Sequence, residues 1–391
     1  MTIKFLKRLS LAFSLFCFFT LSFAETITDE TFGFSLDIPE GYELTASTDD
    51  NMSLAFTHKN LPVTLAIKIY ESEEDSIKVL QNAIEKLGSK DKASFFEWNE
   101  SICSVSKVKF NVEQDFAGWA VCAPTMRQGY FVVLVCYSPE SISQKCEFFI
   151  ISTINSLKVG DSKTTGIFST LAYPPSEKKE VILNIAGKKV KTTLDKSDRE
   201  ASEFVINLEF NVLNMYAKHP LAIQAWKRYY RILQRDAQAR LSETAQTIYK
   251  TLYPEAKKQN PQNPELGYAQ LLLSWVQGFS YEHTDACETS KLNSDFTALP
   301  AMLEGEGNDC DSRSMLLSVL LSEKDIPCTV LFSPEYAHAL AAVKIDAPGQ
   351  TFINPSTNEV YLMGETTAKV TWGTIAQDHM DRTKWFAIDS E

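Results

Sequence analysis

In the segment EGEGNDCDSRSMLLSVLL, Glu304 to Leu321, one cysteine stands between a glycine-bearing turn and an apolar run. Gly305 and Gly307 permit a sharp backbone path, and Asp309 is a residue type that caps a helix N-terminus. Cys310 would then open a helix whose buried stripe is Met315, Leu316, Val319 and Leu320. A thiol there meets backbone N–H groups and the positive pole of the macrodipole. Both favour thiolate, the nucleophilic form. Downstream, DIPCTVLFS reads as a strand starting behind Pro327, and EYAHALAAVKID as another with His338 near its beginning. Alternation puts His338, Leu340 and Ala342 on one face. A helix-starting cysteine and a strand histidine make a nucleophile–base pair if they come within hydrogen-bond reach. Plainer roles stand beside this one: Cys310 in a cystine with Cys287 or Cys328, and His338 as a satisfied core histidine. His283 and Cys287 in HTDAC have loose metal-ligand spacing without a second pair, so no metal site is expected. No cofactor is expected either.

The elements that must position these residues fall into an ordered series. Residues 1–24 read as an export signal. Lys4, Lys7 and Arg8 precede the apolar run LSLAFSLFCFFTLSFA, and Ser22 and Ala24 sit at −3 and −1 of a cut before Glu25. Phe16 before Cys17 argues against lipidation. A periplasmic or secreted protein is expected, with no integral membrane segment after cleavage. The formal charge of −12 becomes −15 when the three basic leader residues are removed. That acidity argues against nucleic acid as the main partner. Eight cysteines less Cys17 leave an odd seven, so in an oxidising compartment at least one thiol is unpaired. Four of them, Cys103, Cys122, Cys136 and Cys146, would suffice for two bridges, and Cys287 with Cys328 for a third.

Residues 25–159 are mostly β in pattern. FGFSLDIP alternates Phe34, Leu36 and Ile38, and NMSLAF and VTLAIKIY repeat the alternation. GWAVCAP and YFVVLVCY read as adjacent strands. Two helices are expected, one with Ile77, Leu80, Ile84 and Leu87 buried, the other with Ile142, Cys146, Phe149, Thr153 and Leu157. His58 stands alone beside a Lys-Asn turn. Residues 160–180, rich in Gly, Pro and polar types, read as a linker. VILNIAGKKVKTTL then reads as a hairpin turning at Ala186-Gly187. A helical lead-in over 196–262 follows, carrying Ile223, Trp226, Tyr230, Leu233, Ala237 and Leu241 on a core face. Lys227, Arg228, Arg231 and Arg235 are assigned to a solvated basic side.

Two resemblances follow from these residues. The element order, with FSLDIPEGY near its start, resembles the PsbP-like fold, an α+β sandwich with an antiparallel sheet; a domain of that kind suits binding an envelope protein. The stretch from LLLSWVQG through LPAMLEGEGNDCDSRSMLLSVLL, DIPCTVLFS and AHALAAVKI to YLMGETT resembles the transglutaminase-like superfamily, a papain-related α+β cysteine fold. The second match covers roughly residues 266–391, within a domain over 181–391 whose catalytic core is 263–391. It implies that Cys310 is the nucleophile and His338 its general base. For the third member, Glu365 follows an apolar strand, whereas Asn354 in FINPST carries the Pro-Ser that parallels the family's Asp-Pro-Thr. A carboxylate both orients the imidazole and stabilises the imidazolium, which favours Glu365; Asn354 stays open. The Cys310 backbone is the expected oxyanion donor, with Gln277 as a weaker second. The implied activity is cysteine-dependent acyl transfer on protein or peptide amides through a thioester, with hydrolysis by a peptidase or amidase ahead of crosslinking. A catalytically silent module that binds peptide in the same groove is the rival from another class.

Overall fold

The computed structural model describes residues 26–160, 163–280 and 294–388. The expected leader and the His283–Cys287 pair lie outside the described residues. The chain divides into two compact units, Met1–Gly160 and Asp161–Glu391. Both mix helix with antiparallel sheet, an α+β architecture.

In the first unit, β2 (Phe34–Asp37) pairs with β1 (Thr26–Asp29) and β10 (Leu157–Val159). Phe34, Leu36 and Ile38 are buried, as their alternation predicts. The larger sheet has seven antiparallel strands in the order β3-β4-β5-β9-β8-β7-β6. They are β3 (Tyr42–Ser47), β4 (Ser53–His58), β5 (Thr64–Glu71), β6 (Ser94–Trp98), β7 (Ser101–Val112), β8 (Gln114–Pro124) and β9 (Tyr130–Pro139). The two apolar runs read as neighbours are β8 and β9, paired with Cys122 opposite Val133.

Helices α1 (Ser76–Lys86) and α2 (Ser143–Asn155) pack on this sheet. Asp75 starts α1 by accepting the Lys78 backbone N–H at 2.9 Å, the N-cap role. The buried stripe of α1 is Val79, Leu80, Ala83 and Ile84, whereas Leu87 is exposed. Leu80 and Ile84 are thus buried as expected, while Leu87 falls at the C-cap, past the last helical residue. In α2, Cys146, Phe149 and Thr153 are buried as expected, while Ile142 precedes the helix and Leu157 belongs to β10. His58 is a structural histidine. Its Nδ1 accepts the backbone N–H groups of Asn60 and Leu61, which leaves Nε2–H to donate to the Glu40 carbonyl at 2.9 Å.

In the second unit, the stretch read as linker contains a short helix, α3 (Ile167–Ala172), with Ile167 and Phe168 buried. Polar neighbours hid those two core residues. The hairpin is as predicted: β11 (Lys178–Ile185) and β12 (Lys188–Asp195) join at Ala186-Gly187, both with positive φ. Helices α4 (Asp198–Asn214) and α5 (Ala222–Gln259) form the lead-in. Here the solvated basic side is corrected. Arg228, Arg231 and Arg235 are buried, and Arg228 pairs with Glu209 of α4 at 2.6 Å. A charge can be buried when it is paired, so basic residues did not mark the solvent face.

The remaining helices are α6 (Pro264–Val276), α7 (Leu299–Leu303) and α8 (Cys310–Ser322). The sheet runs β15 (Thr351–Ile353), β16 (Val360–Gly364), β14 (His338–Val343), β13 (Cys328–Ser333), β17 (Phe386–Ala387), all antiparallel. Helix α8 packs on β13 and β14. Its predicted stripe is buried, but so are Ser312, Arg313, Ser314 and Ser318, so it is a central helix covered on nearly all sides. Among the described residues no helix is long and apolar enough to cross a membrane. The six described cysteines are unbridged thiols, so the two bridges considered for the first unit are absent.

Candidate active site

Cys310 opens α8, as the turn chemistry predicts. Asp309 caps the helix by accepting the Ser312 N–H at 2.9 Å. The thiol, however, is not the sharpened nucleophile that the helix terminus alone would give. Cys310 is buried, and its Sγ donates to Asp311 Oδ1 at 3.5 Å. Burial first, then the charges of Asp311 and Asp309, push the thiol well above its ordinary value; the backbone N–H of Ala339 opposes them. A half-charge at a helix end is outweighed by desolvation and two close carboxylates. The carboxylates themselves are raised, chiefly by burial. Tyr230 of α5 holds Asp311 through a 2.6 Å hydrogen bond to Oδ2.

His338 begins β14, one residue after Ala337, whose φ of 47° turns the chain into the strand. Its Nε2 lies 3.1 Å from Glu365 Oε2. Glu365 follows β16, the neighbour of β14, which is why a residue so distant in sequence reaches the ring. The other oxygen, Oε1, accepts both the N–H (2.8 Å) and the hydroxyl (2.6 Å) of Thr367. Burial alone would raise the Glu365 carboxyl. The His338 hydrogen bond and charge, with the Thr367 contacts, win and hold it down to about 2. Glu365 is therefore an anion poised against an imidazole, the arrangement expected of the third member. No hydrogen bond joins Asn354 to the ring among the described residues: its Oδ1 accepts the Ser356 N–H at 2.9 Å, closing a local turn.

Gln277, at the C-terminus of α6, is not free to serve as an oxyanion donor. Its amide donates to the carbonyls of Glu365 (2.8 Å) and Val370 (2.9 Å), bracing the loop that carries the carboxylate. Arg313, one turn into α8 and fully buried, does similar work. Nε donates to Asn308 Oδ1, Nη1 to the Thr366 carbonyl and Nη2 to the Phe279 carbonyl. It ties the approach to Cys310 to the exit from Glu365. Gly364 completes the support, since a Cβ there would come within 2.4 Å of the Trp372 ring.

Cys310 and His338 meet the same end of β14 differently. The Ala339 N–H acts on the thiol only weakly, lowering it against burial and the two carboxylates. The His338 ring lies with those of Trp385 and His379, centroids 6.3 and 5.1 Å away, on the face where Leu340 and Ala342 pack Met363 and Trp385. Among the described residues no hydrogen bond joins Cys310 Sγ to His338. Sequence reasoning missed Asp311, Arg313 and His379. Only Asp311 left a local sign, being next to the cysteine; the others act through the fold.

The chain matches no family model and no curated protein. Solved structures similar to part of it include PsbP (CyanoP) from Synechocystis sp. PCC 6803, 12% identical over 37% of this chain and 96% of that one, TM-score 0.30. The Saccharomyces cerevisiae Ran-binding protein Mog1p is 10% identical over 35% and 96%, TM-score 0.27. A Bacteroides thetaiotaomicron VPI-5482 protein is 12% identical over 56% and 79%, TM-score 0.26. The likeness to PsbP and Mog1 concerns an N-terminal part, about a third of the chain.

Proposed function

We propose that the second unit is a cysteine-dependent acyl-transfer domain of the transglutaminase-like kind, acting on peptide or protein amides outside the cytoplasm. The observation that carries this reading is the 3.1 Å bond between the ionised Glu365 and His338, next in the strand to Ala339, whose N–H lowers the Cys310 thiol. Glu365 occupies Nε2, so Nδ1 is the nitrogen left to take a proton. In the first step the Cys310 S–H proton passes to Nδ1, and sulfur bonds to the substrate carbonyl carbon. The C–N bond then breaks, and the amine leaves with the proton from the imidazolium. Water, deprotonated by the same nitrogen, cleaves the thioester and restores the thiol. The Cys310 N–H, first in α8 and without an intrahelical acceptor, is the oxyanion donor. In this reading the thiol rests protonated, and the first transfer requires Cys310 Sγ and the His338 ring to come within hydrogen-bond reach of each other, a contact absent among the described residues. The N-terminal unit is assigned to binding an envelope protein.

A second reading, a silent groove that binds peptide, is favoured by the burial of Cys310 between two carboxylates. Release of ammonia or new amines from a glutamine-rich protein, with a fluorescent primary amine as competing acceptor, separates the readings. Hydrolysis should depend wholly on Cys310 and fall at least about a hundredfold in His338→Ala and Glu365→Gln. Incorporation of the amine in excess of release would indicate a crosslinking transferase. Equal, background-level release from wild type and Cys310→Ala would leave only the binding groove.

A further inference from the structure

We propose that His338, Glu365 and His379 form a binding site for a divalent first-row transition metal ion of the zinc class. The three residues come from separate segments: the start of β14, the loop after β16, and a 3-10 turn, Gln377–His379, near the C-terminus. Each offers one ligand atom, and these atoms lie within 4.8 Å of one another. Two imidazoles and a carboxylate make a donor set that suits zinc and its neighbours. Ligand atoms about 2.0–2.1 Å from a tetrahedral ion stand roughly 3.3 Å apart. The His338–Glu365 edge, at 3.1 Å, already has that length.

His379 supplies an independent sign. Its Nδ1 is buried and has no hydrogen-bond partner, although a buried polar atom ordinarily has one. The ring is held between Tyr336 and His338, with centroids 4.8 and 5.1 Å away, and its own carbonyl accepts Trp385 Nε1 at 2.9 Å. It is therefore placed and left without a hydrogen bond at Nδ1. An outer shell exists too. Thr367 fixes Glu365 Oε1, leaving Oε2 for the centre, and Gln277 fixes the Glu365 carbonyl. Three protein ligands leave a position open for water or a substrate oxygen.

The binding stands by itself. Its consequence rests on the acyl-transfer reading: an ion at His338 holds the imidazole that must accept the Cys310 proton, so metal-loaded protein is inactive in acyl transfer.

Zinc titration of the full chain against a chromophoric chelator tests the site, with cobalt(II) absorption as a second readout. One ion should bind tightly per chain, with tetrahedral cobalt bands. Affinity should fall at least tenfold in His379→Gln and His379→Ala, while His219→Gln, away from the set, matches wild type. Melting in chelator shows whether each variant is folded, and Glu365→Gln provides a third loss-of-ligand variant. Unchanged affinity in folded His379 variants, or no binding by wild type, overturns the proposal. The two readings fail separately. Zinc binding without Cys310-dependent turnover rejects the enzyme alone, whereas Cys310-dependent turnover in a chain that binds no zinc rejects the metal site alone.

Discussion

At the scale of single residues, the chemistry of Cys310 is set by what surrounds it more than by where it sits on α8. The thiolate is disfavoured by burial and by the charge of Asp311, 3.5 Å away. Asp311→Asn removes that charge and keeps an oxygen for Tyr230. The Cys310 value then falls, and at a fixed pH below it the thiolate fraction rises. Alkylation by iodoacetamide at about pH 8, read by mass spectrometry of the Cys310 peptide, should quicken about tenfold, the effect of one pKa unit. No change in rate would show that burial alone governs the thiol. The helix-terminal position of Cys310 was legible, because capping is a local rule; the pairing of Glu365 with His338 was expected only from the family resemblance, with Asn354 open beside it. The raised thiol was not legible, since it depends on the packing of α5 and on a helix buried on nearly every side.

At the scale of elements, α4 and α5 are joined by Arg228 and Glu209, both almost fully buried. Removing one partner takes a charged contact from a group that stays buried away from water. Arg228→Ala should cost about 3–5 kcal/mol in urea unfolding, whereas replacing both residues by apolar ones of similar volume should cost much less. A loss below about 1 kcal/mol would show that water or another group compensates. The hairpin at Ala186-Gly187 and the strands with period-two alternation could be read because each carries its signal within a few residues. The lead-in arginines could not. Periodicity sorts residues by polarity, and a paired guanidinium is polar and buried together. Helix α3 was lost in the same way, with Ile167 and Phe168 embedded in a stretch whose composition is that of a linker.

At the scale of the whole molecule, the chain is two units, each with its own sheet and core. The first closes a seven-stranded sheet over α1 and α2, with a core that includes Val79, Leu80, Ile84, Val108 and Val133. Residues 26–160 expressed alone should therefore fold, with a single cooperative thermal transition and mixed α and β circular dichroism. A broad, non-cooperative melt would mean that this core needs the rest of the chain. The units divide after Gly160, and the stretch that composition marks as a linker belongs to the second of them. The joining of His338, Glu365 and His379 was not readable, since it depends on the strand order β15-β16-β14-β13-β17, which no local pattern encodes.

Gly364 carries a consequence for how this molecule can vary. The indole of Trp372 lies where any side chain at that position would go. Even one added methyl must lever the indole aside or push the strand end, and Glu365 is the very next residue. A change that adds no charge and removes no ligand could thus unhook the carboxylate from the imidazole. The acid owes its aim to a vacancy in the neighbouring residue.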